Sequence, residues 1–101
     1  MERLSSRQRA HLKSVAHPLK PVVHVGRDGL TAATVSSIGD ALNTRELLKV
    51  RVLESSPDDP RAVADGIAAV VEHVHVVQVI GRTIVLYRRH PDKPEIMLPI
   101  A

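Results

Sequence analysis

The sequence predicts an α/β (α+β) fold, a mixed four-stranded sheet with helices packed on it. Three segments place apolar residues at helical spacing, and four shorter segments rich in valine, isoleucine and leucine have the pattern of strands. Their order along the chain is α-β-α-β-α-β-β. Two strand–helix–strand crossovers followed by a hairpin are typical of a single mixed sheet. One domain is therefore expected over residues 1–101.

The first helix is expected to begin after Ser5, because Ser5 and Gln8 have the spacing of a capping box. Pro18 is expected to end it, since the residue before a proline is pushed out of the helical region. The apolar stripe of this helix consists of Leu12, Val15 and Ala16. A short apolar strand is predicted next, at residues 22–25.

Thr31 is expected to cap the second helix, with Leu30 packed against Val35 across the cap. This helix ends near residue 44, and its buried face is formed by Val35, Ile38 and Leu42. The strand that follows alternates apolar and basic residues, in the order Leu48, Lys49, Val50, Arg51 and Val52. The period of two predicts one buried face and one basic face in contact with solvent.

The third helix is expected to start with Asp59 as its N-cap and Pro60 in the first helical position. Its apolar positions are Val63, Ile67, Val70, Val71 and Val74. Strands are predicted over residues 76–80 and 83–88. Gly81 comes first in the two-residue connection between them, which favours a type II′ hairpin turn. The tail, about residues 90–101, contains three prolines and is expected to be irregular.

Composition narrows the classes of function. The chain has no cysteine, so neither disulfides nor thiolate metal sites can support the fold. No stretch approaches the roughly 20 apolar residues of a membrane span, and no signal-peptide pattern is visible at the N-terminus. We therefore expect a cytoplasmic protein without membrane contact, and we expect a monomer.

Charge is distributed unevenly along the chain. Residues 1–51 hold nine Lys or Arg and four Asp or Glu, whereas residues 54–80 hold one Arg and five acids. A one-sided basic field suits a polyanion, although an ordinary solvated surface can have the same composition. Phe and Trp are absent and Tyr87 is the single aromatic residue. Nucleic-acid contacts are therefore expected to depend on backbone amides and cations rather than on aromatic stacking.

The stretch Gly26-Arg27-Asp28-Gly29 lies between a strand and a helix start. The first turn of a helix has unpaired donors and the positive end of the helix dipole, and glycine allows close approach of a backbone. Arg27 adds a fork of donors that fits phosphate, and a Gly-x-x-Gly loop clamps the nucleic-acid backbone in KH modules. The pattern predicts an anion site. It also fits a turn whose glycines serve geometry alone, and Asp28 beside a phosphate costs energy.

Other chemistry finds no support in the sequence. The loop lacks the Gly-Lys-Ser/Thr of a Walker A motif and the third glycine of a dinucleotide-binding fingerprint. The six histidines match no zinc spacing, and His24 is interpreted as a satisfied strand residue. No serine lies in a Gly-x-Ser-x-Gly elbow. We predict no catalytic residue, no metal and no cofactor, and we do not expect an enzyme.

Longer stretches of the chain resemble a known family. The stretch LSSRQRAHLKSVAHPLKPVVHVGRDGLT, with ELLKVRV and VVQVIGRTIVLYRR after it, is similar to YhbY proteins. These are small bacterial proteins made of a single CRM (chloroplast RNA splicing and ribosome maturation) domain. The resemblance extends from about Leu4 to Leu98. It implies a fold similar to the C-terminal domain of translation initiation factor three. It also implies RNA binding, association with precursors of the large ribosomal subunit, and a role in ribosome assembly.

In this family the Gly-x-x-Gly loop and nearby basic residues contact RNA. The resemblance therefore implies an RNA contact at Gly26, Arg27, Asp28 and Gly29, with Lys20 just before the strand. The charge pattern adds the basic face of the first helix and the exposed face of the second strand, namely Arg9, Lys13, Lys49 and Arg51. Arg7, Arg88 and Arg89 are further candidates. Two other functions remain open: a module that docks on ribosomal proteins through an acidic third helix, and an enzyme acting on a phosphorylated small molecule at the loop.

Overall fold

The computed structural model describes residues 3–100 and confirms the predicted order of elements. Within this part of the chain, the helices and strands are α1 Ser6–Ala16, β1 Val23–Val25, α2 Ala32–Thr44, β2 Leu47–Val52, α3 Pro60–Val70, β3 His75–Ile80 and β4 Thr83–Tyr87. The boundaries agree with the predicted ones to within about two residues, except that α3 ends at Val70, four residues before Val74, the last apolar position predicted for this helix. Among the helices of residues 3–100, none is long and apolar enough to cross a membrane.

The four strands form one mixed sheet in the order β1-β2-β4-β3. β1 and β2 are parallel, and β4 pairs antiparallel with both β2 and β3. Both predicted crossovers are present, and the last strand of the chain lies between β2 and β3. β4 suits this central place because Ile84, Val85, Leu86 and Tyr87 are all buried, which requires cover on both faces of the sheet.

The two faces of the sheet are covered by different elements. α2 and α3 cover one face, in a core that includes Val25, Ile38, Leu42, Val50, Ile67 and Leu86. We call the other face the α1 face; it carries Leu47, Val85 and Tyr87 and is covered by α1 and the C-terminal tail. α1 packs mainly against β2, β3 and β4. The end of the α1 face near β1 and the hairpin therefore stays open.

The predicted helix caps are confirmed. The Ser5 hydroxyl accepts a hydrogen bond from the Gln8 amide at 3.1 Å, and the Gln8 side chain accepts one from the Ser5 amide at 3.0 Å. Thr31 and Asp59 accept bonds from amides three residues later, at 3.1 and 2.8 Å. These bonds satisfy amides that the first helical turn leaves unpaired. Gly81 has φ +57, as the first residue of a type II′ turn requires.

Two valines that the helical pattern places in the core are exposed, so their predicted burial was wrong. Val15 is 38% exposed and Val70 is 57% exposed. On α1, Leu12 and Ala16 face the sheet and leave Val15 at the side. α3 ends at Val70, and the buried position passes to the next residue, Val71, where the chain turns toward the sheet.

The tail after β4 has no regular structure in the residues described, as predicted, but it is held in place. Ile96 and Leu98 pack against the α1 face. The Gln8 side chain donates a hydrogen bond to the Pro99 carbonyl at 3.1 Å. At the start of β2, the carboxylate of Glu46 accepts hydrogen bonds from three tail amides. Sequence reasoning did not identify this anchor.

Candidate nucleic-acid interface

The Gly26–Gly29 segment is a tight turn between β1 and α2. The Gly29 amide donates to the Gly26 carbonyl at 2.9 Å, and the Thr31 amide donates to the Gly29 carbonyl at 3.1 Å. Gly29 has φ +69, in the left-handed region that glycine adopts at little cost. Arg27 and Asp28 are exposed at the tip of the turn. The second glycine is thus required by the backbone path itself.

The tip of the turn still offers donors to an anion. The Gly29 amide closes the turn and is already used. In residues 3–100, the amides of Arg27 and Asp28 donate to no backbone carbonyl. These two amides and the Arg27 guanidinium are therefore the groups that the turn can direct at a phosphate.

The loop after β2 lies directly against this turn. The Leu53 amide donates to the Val25 carbonyl at 2.8 Å. A Cβ placed on Gly29 would lie 3.3 Å from Pro57 Cγ and 4.0 Å from a carboxylate oxygen of Asp58. Asp28 and Asp58 thus bring two carboxylates near one turn. Because these acids oppose the charge of Arg27, a polyanion bound here needs cations from neighbouring elements.

Replacement of Gly29 by alanine is expected to lower the free energy of unfolding by about 1–2 kcal/mol. The alanine would have to adopt φ +69 with its Cβ 3.3 Å from Pro57 Cγ. Gly26→Ala is the matched control, since its Cβ would have its nearest neighbours at 3.6 and 3.8 Å, an ordinary contact distance. Urea unfolding followed by circular dichroism measures both variants. Equal stability of the two variants would contradict the assignment of Gly29 to turn geometry.

Arg9, predicted for the RNA surface, has partners inside the protein. One of its guanidinium nitrogens donates to the Val76 and Val77 carbonyls at 2.8 and 2.6 Å. These carbonyls lie at a bulge in β3, where the register shifts between Val76 and Gln78. Burial and the nearby Arg9 charge together lower the pKa of His75. Arg9 therefore ties α1 to the edge of the sheet, and its contact with RNA stays a prediction.

Lys49, also predicted for the RNA surface, has a second structural role. It is half-buried, and its ammonium donates to the carbonyls of His17 and Leu19 at 3.2 and 3.0 Å. These bonds hold the segment after α1 over the α1 face. The alternation along β2 predicted which face Lys49 occupies, but it could not reveal the segment that covers it.

The other predicted cations, Lys13, Lys20, Arg27 and Arg51, are exposed. Lys20 directly follows the segment that Lys49 holds, and Arg51 projects from β2 on the same face as Lys49, because residues two apart share a face. The tail contacts Gln8 on one side of α1, and helical spacing places Lys13 on the other side. Lys20 and Arg51 therefore lie at the open part of the α1 face.

One residue from each strand forms a row across this open part. The strand registers align His24 with Arg51, Arg51 with Thr83, and Thr83 with Ile80. Directly paired residues point to the same face. We call these four residues the cross-strand row. His24 and Arg51 are exposed, and Ile80 is 56% exposed. His24 lies in β1, as the interpretation of it as a strand residue expects, and it is exposed on this edge strand.

Arg88 and the exposed Arg89 follow the last residue of β4, which runs antiparallel to β2. They therefore lie at the opposite end of the sheet from Arg51. Arg88 donates to the Asn43 side chain at 3.0 Å and is thus partly used in the fold. The open cleft beside these arginines has a volume of about 720 Å³ and is also lined by Glu72 and Asp92. Acidic and basic groups balance in this cleft, so it does not favour a polyanion. Across residues 3–100, no cluster of His, Asp and Glu could hold a metal ion.

Comparison with known proteins identifies the family of this chain and several of its relatives. A protein-family model described as the CRS1 / YhbY (CRM) domain matches residues 4–88. The chain is 38% identical over 96 residues to "Probable RNA-binding protein YqeI" of Bacillus subtilis, covering 95% of this chain and 99% of that protein. It is 37% identical over 99 residues to "RNA-binding protein" of Haemophilus influenzae, covering 98% of each.

A solved structure extends the likeness to three dimensions. The solution structure of the hypothetical protein SAV1595 from Staphylococcus aureus matches with a TM-score of 0.80 at 36% sequence identity. The match covers 96% of this chain and 100% of that one. The fold of three helices on a mixed four-stranded sheet, together with the match of the family model to residues 4–88, defines a domain of the CRM class. The chain belongs to the CRS1 / YhbY (CRM) domain family.

Proposed function

We propose that this protein binds RNA through the phosphate backbone, on the open part of the α1 face and the adjoining Gly26–Gly29 turn. The observation that carries the proposal is the position of Lys20, Arg27 and Arg51, which are exposed on or beside this face. The acidic segment 54–80 supplies α3, which covers the opposite face. One side of the sheet thus suits a polyanion, and the other does not.

The family and its named members support RNA as the ligand. The relatives in Bacillus subtilis and Haemophilus influenzae both carry RNA binding in their names. The resemblance to CRM domains supports the finer proposal, in which the bound RNA belongs to precursors of the large ribosomal subunit. The protein would then act in the cytoplasm as a ribosome assembly factor.

The proposed mechanism is recognition without covalent chemistry. Lys20, Arg27 and Arg51 neutralise phosphates, and the Arg27 and Asp28 amides add directed hydrogen bonds at the turn. Contacts of this kind position an RNA, while its shape and its unpaired segments supply specificity. Because Asp28 and Asp58 weaken each phosphate contact near the turn, RNA binding depends on several cations together.

A sucrose gradient of cell lysate tests the proposed partner. We expect the protein to travel with precursors of the large subunit, to crosslink to their RNA, and to move to the top of the gradient after nuclease treatment. Nuclease treatment should release the protein because its proposed contacts are with phosphates of the RNA, which digestion removes. Co-migration that survives complete RNA digestion would contradict the proposal and favour docking on ribosomal proteins instead.

A further inference from the structure

We propose that the cross-strand row stacks unpaired nucleobases, so that the RNA segment bound on the α1 face is single-stranded. The inference rests on the proposed function and names the form of RNA which that surface takes. It comes from the strand registers, which bring His24, Arg51, Thr83 and Ile80 into one line across all four strands. Among the described residues, α1 and the C-terminal tail cover the other end of the α1 face rather than this row.

The row supplies planar groups in a chain nearly without aromatic residues. Tyr87, the single Phe, Trp or Tyr residue, is buried and cannot reach a base. A histidine ring and an arginine guanidinium also stack on nucleobases. His24 and Arg51 are directly paired neighbours on adjacent parallel strands, which lie roughly 5 Å apart. Together they present two exposed planar groups side by side, one of which is cationic.

The far half of the row completes the platform with apolar surface. Ile80 is 56% exposed although it is a large aliphatic side chain at the end of β3. Thr83 lies between Arg51 and Ile80 in register and is half-buried. An exposed isoleucine next to a methyl-bearing side chain suits the flat, partly apolar face of a base better than it suits a phosphate.

The row is continuous with the proposed phosphate contacts. His24 precedes Gly26 by two residues, which along a strand is about 7 Å. A single nucleotide spans such a distance between its phosphate and its base. An RNA strand whose phosphates lie at Arg27 and Lys20 can therefore place bases over His24 and Arg51. Bases in a duplex keep their faces stacked on one another, so only an unpaired segment can use this row.

Binding measurements with a short oligoadenylate of about 12 nucleotides test the inference. The comparison ligand has the same length and phosphates but abasic ribose in its central positions. We expect the wild-type protein to bind the complete oligoadenylate about five- to tenfold more tightly than the abasic one. Arg51→Lys keeps the charge and removes the planar group, and His24→Thr removes the ring. Each variant should reduce the preference to about twofold or less, and His24→Thr, which removes no proposed phosphate contact, should leave binding of the abasic ligand unchanged. Thermal unfolding checks that both exposed substitutions leave the fold intact.

The outcomes separate this inference from the proposed function. Equal wild-type binding of both ligands, with strong salt dependence, overturns base stacking and leaves phosphate recognition standing. A base preference that survives both substitutions also overturns the assignment to this row. Binding of neither ligand overturns the proposed function and the inference together.

Discussion

Glu46→Ala is expected to destabilise the protein by about 2–3 kcal/mol, which corresponds to a fall in melting temperature of roughly 10 to 20 °C. Among residues 3–100, Glu46 is the one buried carboxylate, with 6% of its surface exposed. It accepts hydrogen bonds from the amides of His90 at 2.7 Å, Glu95 at 2.8 Å and Ile96 at 2.7 Å. Its loss releases these donors and the tail that carries them. Thermal unfolding and hydrogen exchange at the tail amides measure the effect.

Two variants serve as controls for this prediction. Glu95→Ala removes an exposed carboxylate from the tail itself and should change stability by less than about 0.5 kcal/mol. Glu46→Gln keeps one acceptor oxygen and should give an intermediate loss. Slow exchange of the Ile96 amide in Glu46→Ala would show that apolar contacts alone hold the tail. That result would contradict the role of Glu46 as its anchor.

The contribution of Glu46 should also depend on pH. Burial raises the pKa of this carboxyl, but the hydrogen bonds from the three amides and the nearby His90 charge outweigh burial and lower it. A lowered pKa in the folded state means that the stabilisation is complete above the pKa of an unfolded glutamate, about 4.3, and is lost as the pH falls below it. The stability difference between wild type and Glu46→Ala should therefore shrink in acid.

The double variant Lys20→Glu, Arg27→Glu is expected to bind RNA about ten- to a hundredfold more weakly at moderate salt. With about four phosphate contacts on single-stranded RNA, log K should fall against log salt with a slope of about −2.8 in the wild type. Removal of two contacts should bring this slope to about −1.4 or less, and the new carboxylates add repulsion. Fluorescence anisotropy over a series of salt concentrations measures both quantities.

The matched control for this charge reversal lies at the opposite end of the sheet. Lys93→Glu with Arg45→Glu changes one exposed lysine and one exposed arginine, and therefore alters net charge by the same amount. It should leave RNA affinity within about threefold of the wild type. Equal losses in the two double variants would mean that overall charge, rather than the surface around the turn, determines binding.

The elements of this fold could be predicted from local patterns because local forces produce them. The capping residues Ser5, Thr31 and Asp59 accept hydrogen bonds from amides within their own helices. The alternation along β2 correctly placed Lys49 and Arg51 on one face. The Gly26–Gly29 turn was also recognisable, since a positive φ at Gly29 needs glycine wherever the rest of the chain lies.

The candidate site could be predicted only in part. Arg27, Lys20, Lys13 and Arg51 are exposed as expected, and their contact with RNA stays a prediction. The internal contacts of Arg9 and Lys49 were not foreseeable, because each binds carbonyls about 30 or more residues away in sequence. The position of Asp58 near the Gly26–Gly29 turn was not foreseeable either, because it depends on β1 and β2 lying side by side.

The sequence by itself determined the helices, the strands, their caps and turns and the resemblance to CRM domains, because hydrophobic periodicity and local hydrogen bonding act over a few residues. The tertiary structure alone decided which charged groups meet. It assigned Glu46 to the tail and brought His24, Arg51, Thr83 and Ile80 into one row. Strand order and register control these contacts, and both are set by how the two faces of the sheet are packed rather than by any local stretch of chain.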